Sequence, residues 1–441
     1  MPAAHGDAMR EQFQTLPNPL VDDQQKASDW MFPILLAVLV LVAYAPAFNN
    51  GFISDDYVVL GRLEDLKQDP LFLFSIPPET FRATCYGSFA VLKAWFGYSP
   101  GFFYAFTVVL HLTNTVMLWV LLKRLTGNAP TANIGAAVFA VYQNPQEAVM
   151  WLSGMNESLM TAGVLGSLLA WLRGRYLWFT VLYAAALFSK ESAVAVLLLL
   201  PLVDYAQSGK LRFRKAYLLL AIPTIPFLAV YLITRNANAL WSHGLYEVHP
   251  RAVWVFLNSF HRLLFPWGYL ALLPAATRRA SQAITGLIAP VAWISVSLAP
   301  YIFLTYQGHV PSRNQYLASI GVAWLLGSLV TVWPAGRWRI GWVAAMVSTN
   351  ILYLWLVKDA QYVARAAPTA ELLKELRSIE PQPVRLVGFP ENPWIAANTA
   401  LTLTGWQRSL LHVNESAESC PRCRVLVWDP RARRYRSAHP S

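Results

Sequence analysis

The chain has 441 residues, of which 56% are hydrophobic and only 13% are charged. A soluble globular protein carries about 25% charged residues, so this composition excludes an ordinary soluble enzyme and indicates a polytopic helical membrane protein. A net charge of +11 would suggest a nucleic-acid partner in a soluble protein. Here the basic residues form short clusters between apolar segments, which is the pattern of the positive-inside rule, so we expect no nucleic-acid partner.

Eleven apolar segments are candidates for membrane-spanning helices. A helix needs about 20 apolar residues to cross the bilayer, or about 17 where the flanking residues adapt. The sequence therefore predicts an all-α polytopic membrane domain with about eleven spans. The candidate segments are 31–48, 101–122, 131–149, 157–172, 176–190, 191–206, 216–234, 252–272, 283–305, 316–333 and 340–357.

The positions of Lys and Arg predict the orientation. If residues 1–30 form a cytoplasmic tail, every basic cluster between spans also lies on the cytoplasmic side. This predicts a multi-pass protein of the inner (plasma) membrane, with a membrane domain at 31–360 and an outer loop at 49–100. The clusters lie at 123–130, 173–175, 207–215, 273–282 and 334–339.

A small extracytoplasmic α/β unit is predicted after the last span, over residues 361–441. Apolar runs become shorter there and charged residues return. Residues 369–379 have the pattern of an amphipathic helix, and 384–387 and 425–428 have that of short buried strands. A unit of this size is small for a core of its own, so we expect it to lean on the membrane domain.

Cys420 and Cys423 form a single Cys-Pro-Arg-Cys element near the C-terminus. A structural zinc site needs four ligands, and the sequence has no second cysteine pair. A disulfide or two unpaired thiols are therefore expected in preference to zinc.

The adjacent acids Asp55 and Asp56 follow the first span and are the first candidates for chemistry. Two neighbouring carboxylates repel, which raises the pKa of one toward the range of a general base, or they share a cation. The alternative is a solvated loop in which the two acids cap the next helix.

Three basic residues are candidates for holding a phosphate group: Arg82, Lys190 and Arg313. Arg binds phosphate through two N–H groups at once, and Lys neutralises the phosphate of a lipid. Lys190 could instead pair with Glu191 at the turn of a helical hairpin. Arg82 and Arg313 could instead be anchors at the membrane interface.

Five further polar residues are candidates for lining a substrate pocket, because polar side chains near membrane depth are few. For Glu157 the alternative is a helix N-terminal acid, and for Tyr316 a place in the aromatic belt. The five are Glu147, Asn156, Glu157, Glu191 and Tyr316. His111 and Asn114, one helical turn apart, are expected to make a helix–helix hydrogen bond instead of taking part in catalysis.

Five short segments in chain order resemble motifs of the glycosyltransferases of superfamily C. The resemblance is greatest to the transmembrane O-mannosyltransferases with tetratricopeptide repeats and their bacterial relatives, although no such repeats are seen here. Met155 also stands where those proteins have an Arg, and Arg82-Ala83 stands for their Arg-Pro. The segments are Phe52-Ile53-Ser54-Asp55-Asp56, His111-Leu112-Thr113-Asn114, Phe139 through Glu147 to Gly154, Ser189-Lys190-Glu191-Ser192-Ala193 and Arg313 to Leu317.

This resemblance implies an inverting hexosyltransferase that moves a sugar from a polyprenyl-phosphate donor to a hydroxyl of a glycan or protein acceptor. Membrane lipids and the lipid-linked donor would be its partners. Asp55 or Asp56 would be the base, and a divalent metal ion, if one is used, would lie at the same two acids. A transporter or a non-catalytic membrane subunit are the alternatives from other classes, although no inverted repeat typical of transporters is found.

Overall fold

The computed structural model describes residues 19–69, 82–211, 214–234, 239–275 and 280–438. Most of the predicted tail at 1–30 and part of the basic cluster at 273–282 lie outside the described residues. The helices are α1 (Pro19–Tyr44), α2 (Asp55–Gln68), α3 (Ala83–Phe96), α4 (Pro100–Thr126), α5 (Ala129–Val141), α6 (Glu147–Met150), α7 (Met155–Leu172), α8 (Tyr176–Leu187), α9 (Val196–Ser208), α10 (Ala221–Thr234), α11 (Ala239–Ser242), α12 (Ala252–Leu264), α13 (Trp267–Ala275), α14 (Ala280–Leu298), α15 (Tyr316–Val332), α16 (Arg337–Tyr353), α17 (Asp359–Arg377) and α18 (Pro393–Thr404).

Six helical segments of the described ranges are long and apolar enough to cross a membrane. This confirms the predicted polytopic helical fold, whereas the number of eleven spans stays a prediction. The six are Trp30–Asn49, Pro100–Thr126, Glu191–Ser208, Lys215–Ile233, Arg313–Val332 and Arg337–Arg377, and three shorter apolar helices are Ala129–Val141, Tyr176–Leu187 and Gly286–Tyr301.

Burial separates the central helices of the bundle from those that face lipid. In the span Arg313–Val332, 83% of the apolar window is buried, against 22% in Lys215–Ile233. A helix that is apolar on all sides is stable only inside the protein or in contact with lipid. The first therefore forms the centre of the bundle, between α5 and α14, and the second lies at its lipid-facing edge.

Two segments that were expected to be single spans are broken at a proline. The segment 131–149 forms α5 only to Val141, and the chain then turns before Pro145. The segment 252–272 is divided into α12 and α13 at Pro266. Proline removes a backbone donor and disfavours the helical conformation of the residue before it, which accounts for both breaks.

The last span is longer than its apolar sequence. One helical segment of 41 residues runs through Arg337–Arg377 and includes α16, a π-helical turn at Leu354–Lys358, and α17. At about 1.5 Å per residue it is about 60 Å long. Expected here were a span at 340–357 and a separate helix at 369–379. The intervening residues are rich in Ala, a strong helix former, so the helix does not end where the hydropathy falls.

The C-terminal unit contains a four-stranded sheet in the order β2-β1-β3-β4. The predicted strands at 384–387 and 425–428 are confirmed as β1 and β3. Strand β1 pairs in parallel with β2 and with β3, and β4 is antiparallel to β3. The strands are β1 (Val384–Val387), β2 (Leu411–Val413), β3 (Arg424–Asp429) and β4 (Arg434–Ala438).

The sheet unit shares one hydrophobic core with α2, α3 and the start of α4, separate from the core of the helix bundle. Helices α2 and α18 approach each other so closely that a Cβ at Gly61 would lie 2.3 Å from Oδ1 of Asn398. An ion pair of 3.2 Å between Arg408 and Asp65 adds to this contact. The unit therefore packs on the segment after the first span, as its small size led us to expect.

Candidate active site

The two aspartates after the first span have different surroundings. Asp56 is fully buried, whereas Asp55 is exposed. One Asp56 oxygen accepts a hydrogen bond from Ile53 N at 2.9 Å, and the other accepts from Ser153 N and Ser153 Oγ, both at 2.7 Å. Burial, with a smaller contribution from the charge of Asp55, raises the pKa of Asp56 to about 7 in spite of these hydrogen bonds.

These contacts give the two carboxylates different chemical capacities. Both oxygens of Asp56 are engaged by donors of the protein, so Asp56 fixes the segment against Ser153. Among the described residues, the exposed carboxylate of Asp55 has no hydrogen-bond partner. A base must have an oxygen available to the proton that it removes, and only Asp55 fulfils this condition.

The pair does not fit a divalent metal ion. Such an ion needs several free oxygen ligands, and those of Asp56 are already used by three donors. Within the described ranges, the one group of three or more potential metal ligands lies elsewhere, in the sheet unit.

Ser54 joins the aspartate segment to the sheet unit. Its φ of 47° is in the left-handed region, which is costly for a residue with a Cβ. Ser54 Oγ donates a hydrogen bond of 2.9 Å to Oε1 of Glu391. Glu391 is half-buried, its other carboxylate oxygen has no partner among the described residues, and burial raises its pKa. The strained turn before Asp55 is thus held from the C-terminal unit.

Trp151 joins the aspartate segment to two arginines. Its indole N–H donates to the Ile53 carbonyl at 3.3 Å. The guanidinium carbon of Arg313 lies 4.6 Å from the centre of a Trp151 ring, and that of Arg365 lies 4.4 Å from it. Within the described part of the chain, neither guanidinium has a carboxylate within ion-pair distance. Two guanidinium groups that pair directly with no described carboxylate therefore lie beside the loop of Asp55, and the charge of Arg365 partly offsets the effect of burial, which raises the pKa of Glu391.

A cavity of about 410 Å³ opens next to these arginines. Glu147 interacts both with the backbone of Arg313 and with the cavity wall. Its Oε2 accepts a hydrogen bond of 3.2 Å from Arg313 N, and its negative charge acts on Lys358 of the wall. The residues that line the cavity include no Asp or Glu among those that the structure describes. Burial and the nearby Arg262 lower the pKa of His309, which favours the neutral form of this ring. The polar lining includes Asn144, Asn258, His261, Arg262, His309 and Lys358.

Lys190 and Glu157 form an ion pair inside the bundle, with both side chains almost completely buried. Lys190 Nζ also donates to Oδ1 of Asn314 at 3.1 Å, and the Tyr301 hydroxyl lies 3.0 Å from Oε2 of Glu157. The ammonium group is also 5.3 Å from the centre of the Tyr301 ring. Buried charges need this kind of compensation, so the group is complete without a ligand.

Arg82 and Glu191 form a second pair beside the first, with 3.3 Å between Nη2 and Oε1. This pair joins the start of α3 to the segment after α8, where Thr84 N also donates to Phe188 O at 3.1 Å. Of the three basic residues expected to hold phosphate, the structure therefore pairs Arg82 and Lys190 with carboxylates, whereas the guanidinium of Arg313 forms no ion pair with any carboxylate that the structure describes.

The remaining candidates lie at different places. Asn156, which lies between Ser153 and Glu157 in the sequence, is buried in the structure. Its Oδ1 has no hydrogen-bond partner among the described residues. Tyr316 lies inside the bundle, where its hydroxyl is 2.6 Å from Nδ1 of His111 and 3.2 Å from Nδ2 of Asn114. The helix–helix hydrogen bond expected for His111 and Asn114 is thus confirmed, and it uses the Tyr316 hydroxyl.

Sequence reasoning missed Trp151, Ser153, Arg365 and Glu391. Trp151 and Ser153 stood within a segment already compared with superfamily C, so a signal for them existed. Gly154 follows them, where a Cβ would lie 2.2 Å from the Glu147 carbonyl, so the chain here must be tightly folded. Arg365 had no signal, because it lies beyond the predicted end of the last span.

No family model matches the sequence, and no curated protein matches it. Two crystal structures of ArnT from Cupriavidus metallidurans, one in the apo state and one bound to undecaprenyl phosphate, are similar in structure. Each has a TM-score of 0.56 at 11% identity and covers 91% of this chain and 93% of that chain. The chain therefore shares its overall fold with ArnT. At this identity the likeness shows the fold alone, so the relation to the O-mannosyltransferases stays a prediction.

A crystal structure of the Archaeoglobus fulgidus oligosaccharyltransferase, tethered to an acceptor peptide, is also similar in part. Its TM-score is 0.44 at 10% identity, over 86% of this chain and 63% of that one. This second likeness is too slight to carry an argument.

Proposed function

We propose that this chain is a membrane glycosyltransferase of superfamily C that takes its sugar from a polyprenyl-phosphate donor. The observation that carries the proposal is the meeting at Trp151 of the Asp55 segment and two arginines that form no ion pair with a carboxylate in the described ranges. A base and a phosphate-binding pair are the two groups that such a transfer needs. The ArnT structure that contains undecaprenyl phosphate has the same fold, which supports a lipid phosphate as the carrier.

In the proposed reaction, Asp55 takes the proton of the acceptor hydroxyl while its oxygen attacks the anomeric carbon of the sugar. The bond from that carbon to the phosphate oxygen breaks, and the phosphate leaves with the electron pair. Arg313 and Arg365 stabilise the charge that develops on it. A single displacement of this kind inverts the anomeric centre.

Asp56 has a positioning role in this scheme. Its hydrogen bonds to Ile53 and Ser153 fix the turn that carries Asp55, and the Ser54–Glu391 contact fixes it from the other side. Reacting groups must be held close to the productive geometry for efficient transfer. We assign the ion pairs of Lys190 and Arg82 a structural part, in which they hold the wall that includes Asn156 and Glu157.

The cavity beside Arg313 is the proposed place for the polar end of the donor. Arg262 and Lys358 give it positive charge, and the side-chain oxygen of Asn258 can accept a hydrogen bond from a sugar hydroxyl. The disulfide of the C-terminal unit supports an oxidising compartment for it, and hence the outer side of the inner membrane for this end of the bundle. The acceptor would be a glycan or protein hydroxyl on that side.

A transfer assay with the full chain in proteoliposomes tests this function. The substrate is a panel of radiolabelled polyprenyl-phosphate sugars, and the readout is the release of polyprenyl phosphate with a hydroxyl acceptor. Asp55→Asn should lower the rate by about 10³-fold, because a general base contributes about 10²- to 10⁴-fold. Glu380→Gln, a change at an exposed acid of the sheet unit, is the control. Equal rates for Asp55→Asn and the wild type would remove the base assignment.

A further inference from the structure

The C-terminal sheet brings three potential metal ligands together. His412 lies on β2, and Cys420 and Cys423 lie in the turn before β3, yet one ligand atom from each is within 4.8 Å of the others. The two cysteines form a disulfide with a Cα–Cα distance of 5.4 Å. Sequence spacing gave no signal for a third ligand, since His412 is eight residues before Cys420.

The sheet topology explains this convergence. Leu411 and Val413 are buried in the shared core, so the side chain of His412 between them is on the opposite face of β2. The cysteine turn is closed by a hydrogen bond of 3.2 Å from Cys423 N to the Cys420 carbonyl, and it leads directly into β3. Strand β1 lies between β2 and β3 and fixes the distance between the histidine and the turn.

Glu415 orients the histidine. The Nδ1 of His412 is 3.0 Å from Oε2 of Glu415, which leaves Nε2 as the ring nitrogen available to a metal. Zinc-binding histidines nearly always donate their other N–H to a carboxylate or a carbonyl in this way. Arg385, which is in register with His412 on β1, and Arg422 within the turn add positive charge to a region that also contains Glu415, and positive charge favours thiolates.

We propose that Cys420, Cys423 and His412 form a redox-controlled zinc site. In the oxidised state the cysteines are joined and bind no metal. A dithiol reductant breaks the S–S bond: two electrons and two protons pass to the cysteines, and the reductant becomes a disulfide. Zn²⁺ then replaces the two thiol protons, the sulfurs separate to about 3.8 Å as tetrahedral coordination requires, and water takes the fourth position. Glu415 stays hydrogen-bonded to His412.

Cobalt binding by the purified full chain tests this site without reference to glycosyl transfer. The protein is reduced with a phosphine, which becomes the phosphine oxide, and Co²⁺ is added under anaerobic conditions. The reduced wild type should bind one Co²⁺ with a thiolate-to-metal charge-transfer band that Zn²⁺ abolishes, and the oxidised protein should show none. No such band in the reduced wild type would overturn the proposal.

Three variants define the ligands. His412→Ala should weaken Co²⁺ binding by at least tenfold, and Glu415→Gln by about tenfold, as expected for the carboxylate behind a histidine ligand. Cys85→Ser, which removes the buried free cysteine of α3, should bind as the wild type does. His412→Ala keeps the disulfide, so an unchanged melting temperature of its oxidised form will show that it folds. Wild-type affinity in folded His412→Ala would overturn the site.

Discussion

Two groups of charges in this molecule use the same residue types differently. Inside the bundle, Lys190 is bound to Glu157 and also to Asn314, so its charge is satisfied by the protein. At the edge, Arg313 and Arg365 lie against the face of Trp151, Arg365 is also 5.9 Å from the centre of the Tyr362 ring, and neither guanidinium forms an ion pair with a carboxylate of the described residues. The charge of the interior group is neutralised by protein side chains, whereas the arginines at the edge can still bind an anion. A basic residue near a membrane is therefore informative only when its counter-ion is known.

Energies support this division. Removing one partner of a buried ion pair costs about 3–5 kcal/mol, because the other charge stays buried without compensation. A cation beside an aromatic ring gains only about 0.5–2 kcal/mol, so an anionic ligand would add much to the stabilisation of the two arginines. We expect changes in the interior group to affect folding, and changes in the edge group to affect binding. Four experiments test this contrast.

The largest effect is expected on stability. Lys190→Met should lower the free energy of unfolding by about 3–5 kcal/mol, because Glu157 would keep a buried charge without a partner. Denaturant unfolding in detergent measures it. Lys374→Met, which breaks the exposed pair with Glu371, is the matched control and should cost less than about 1 kcal/mol.

Adding Glu157→Leu to Lys190→Met should restore much of the loss, since both buried charges are then removed. A Lys190→Met protein as stable as the wild type would break the distinction between the interior group and the edge group.

The next effect concerns binding. Arg313→Gln and Arg365→Gln together should weaken the affinity for polyprenyl phosphate by about 100-fold or more, since each charge-assisted contact is worth about 1.5–3 kcal/mol. The free energy of unfolding should change little. Arg377→Gln, an exposed change on the same helix, is the control, and binding to the labelled lipid phosphate in nanodiscs is the measurement. Wild-type affinity in the double variant would show that the phosphate binds elsewhere.

The pH dependence should show the positioning role of Asp56. Transfer should rise about tenfold per pH unit up to about pH 7 and then level off, because its ionised carboxylate accepts the three hydrogen bonds that fix the loop. Stability should change in the opposite sense. The pKa of Asp56 is raised in the folded protein from 3.8 to about 7, so its contribution is full below about pH 4 and is lost as the pH rises to about 7.

Asp56→Asn should flatten both curves, which pH–rate profiles and melting curves will show. A wild-type profile without a step near pH 7 would contradict this role.

The smallest effect is expected at the contact between the loop and the sheet unit. Ser54→Ala removes the hydrogen bond to Glu391, worth about 1 kcal/mol, and should lower the transfer rate about fivefold. The rate at saturating donor is the measurement. Ser378→Ala, which removes an exposed serine hydroxyl on the helix that leads to the sheet, should leave the rate unchanged. The same loss in both variants would mean that the contact has no specific role.

Local patterns were sufficient to predict much of the fold. The apolar strands β1 and β3 could be recognised from four to six consecutive residues. Strand β4 could not, because its sequence Arg-Tyr-Arg-Ser-Ala has no apolar run and is stabilised by pairing with β3. Burial in the shared core depends on segments far apart in the chain, and no window of the sequence contains that information.

The same limit applies to the candidate site. Asp55, Asp56 and Arg313 could be chosen from residue type and position beside a span. The counter-ions could not, since Arg82 pairs with Glu191 across 109 residues and Lys190 lies 33 residues from Glu157. Residue type indicates which side chains can carry charge, and only the packing shows which of these charges are already neutralised.

The 41-residue helix also limits how this protein can be dissected. A truncation after residue 360 would look like the removal of an accessory domain, but it would also remove Arg365 from the face of Trp151. Loss of activity in such a deletion would then report a missing arginine as much as a missing domain. Chimaeras that exchange only the chain after Arg377 would keep this side chain, so they are the informative way to ask what the C-terminal unit recognises.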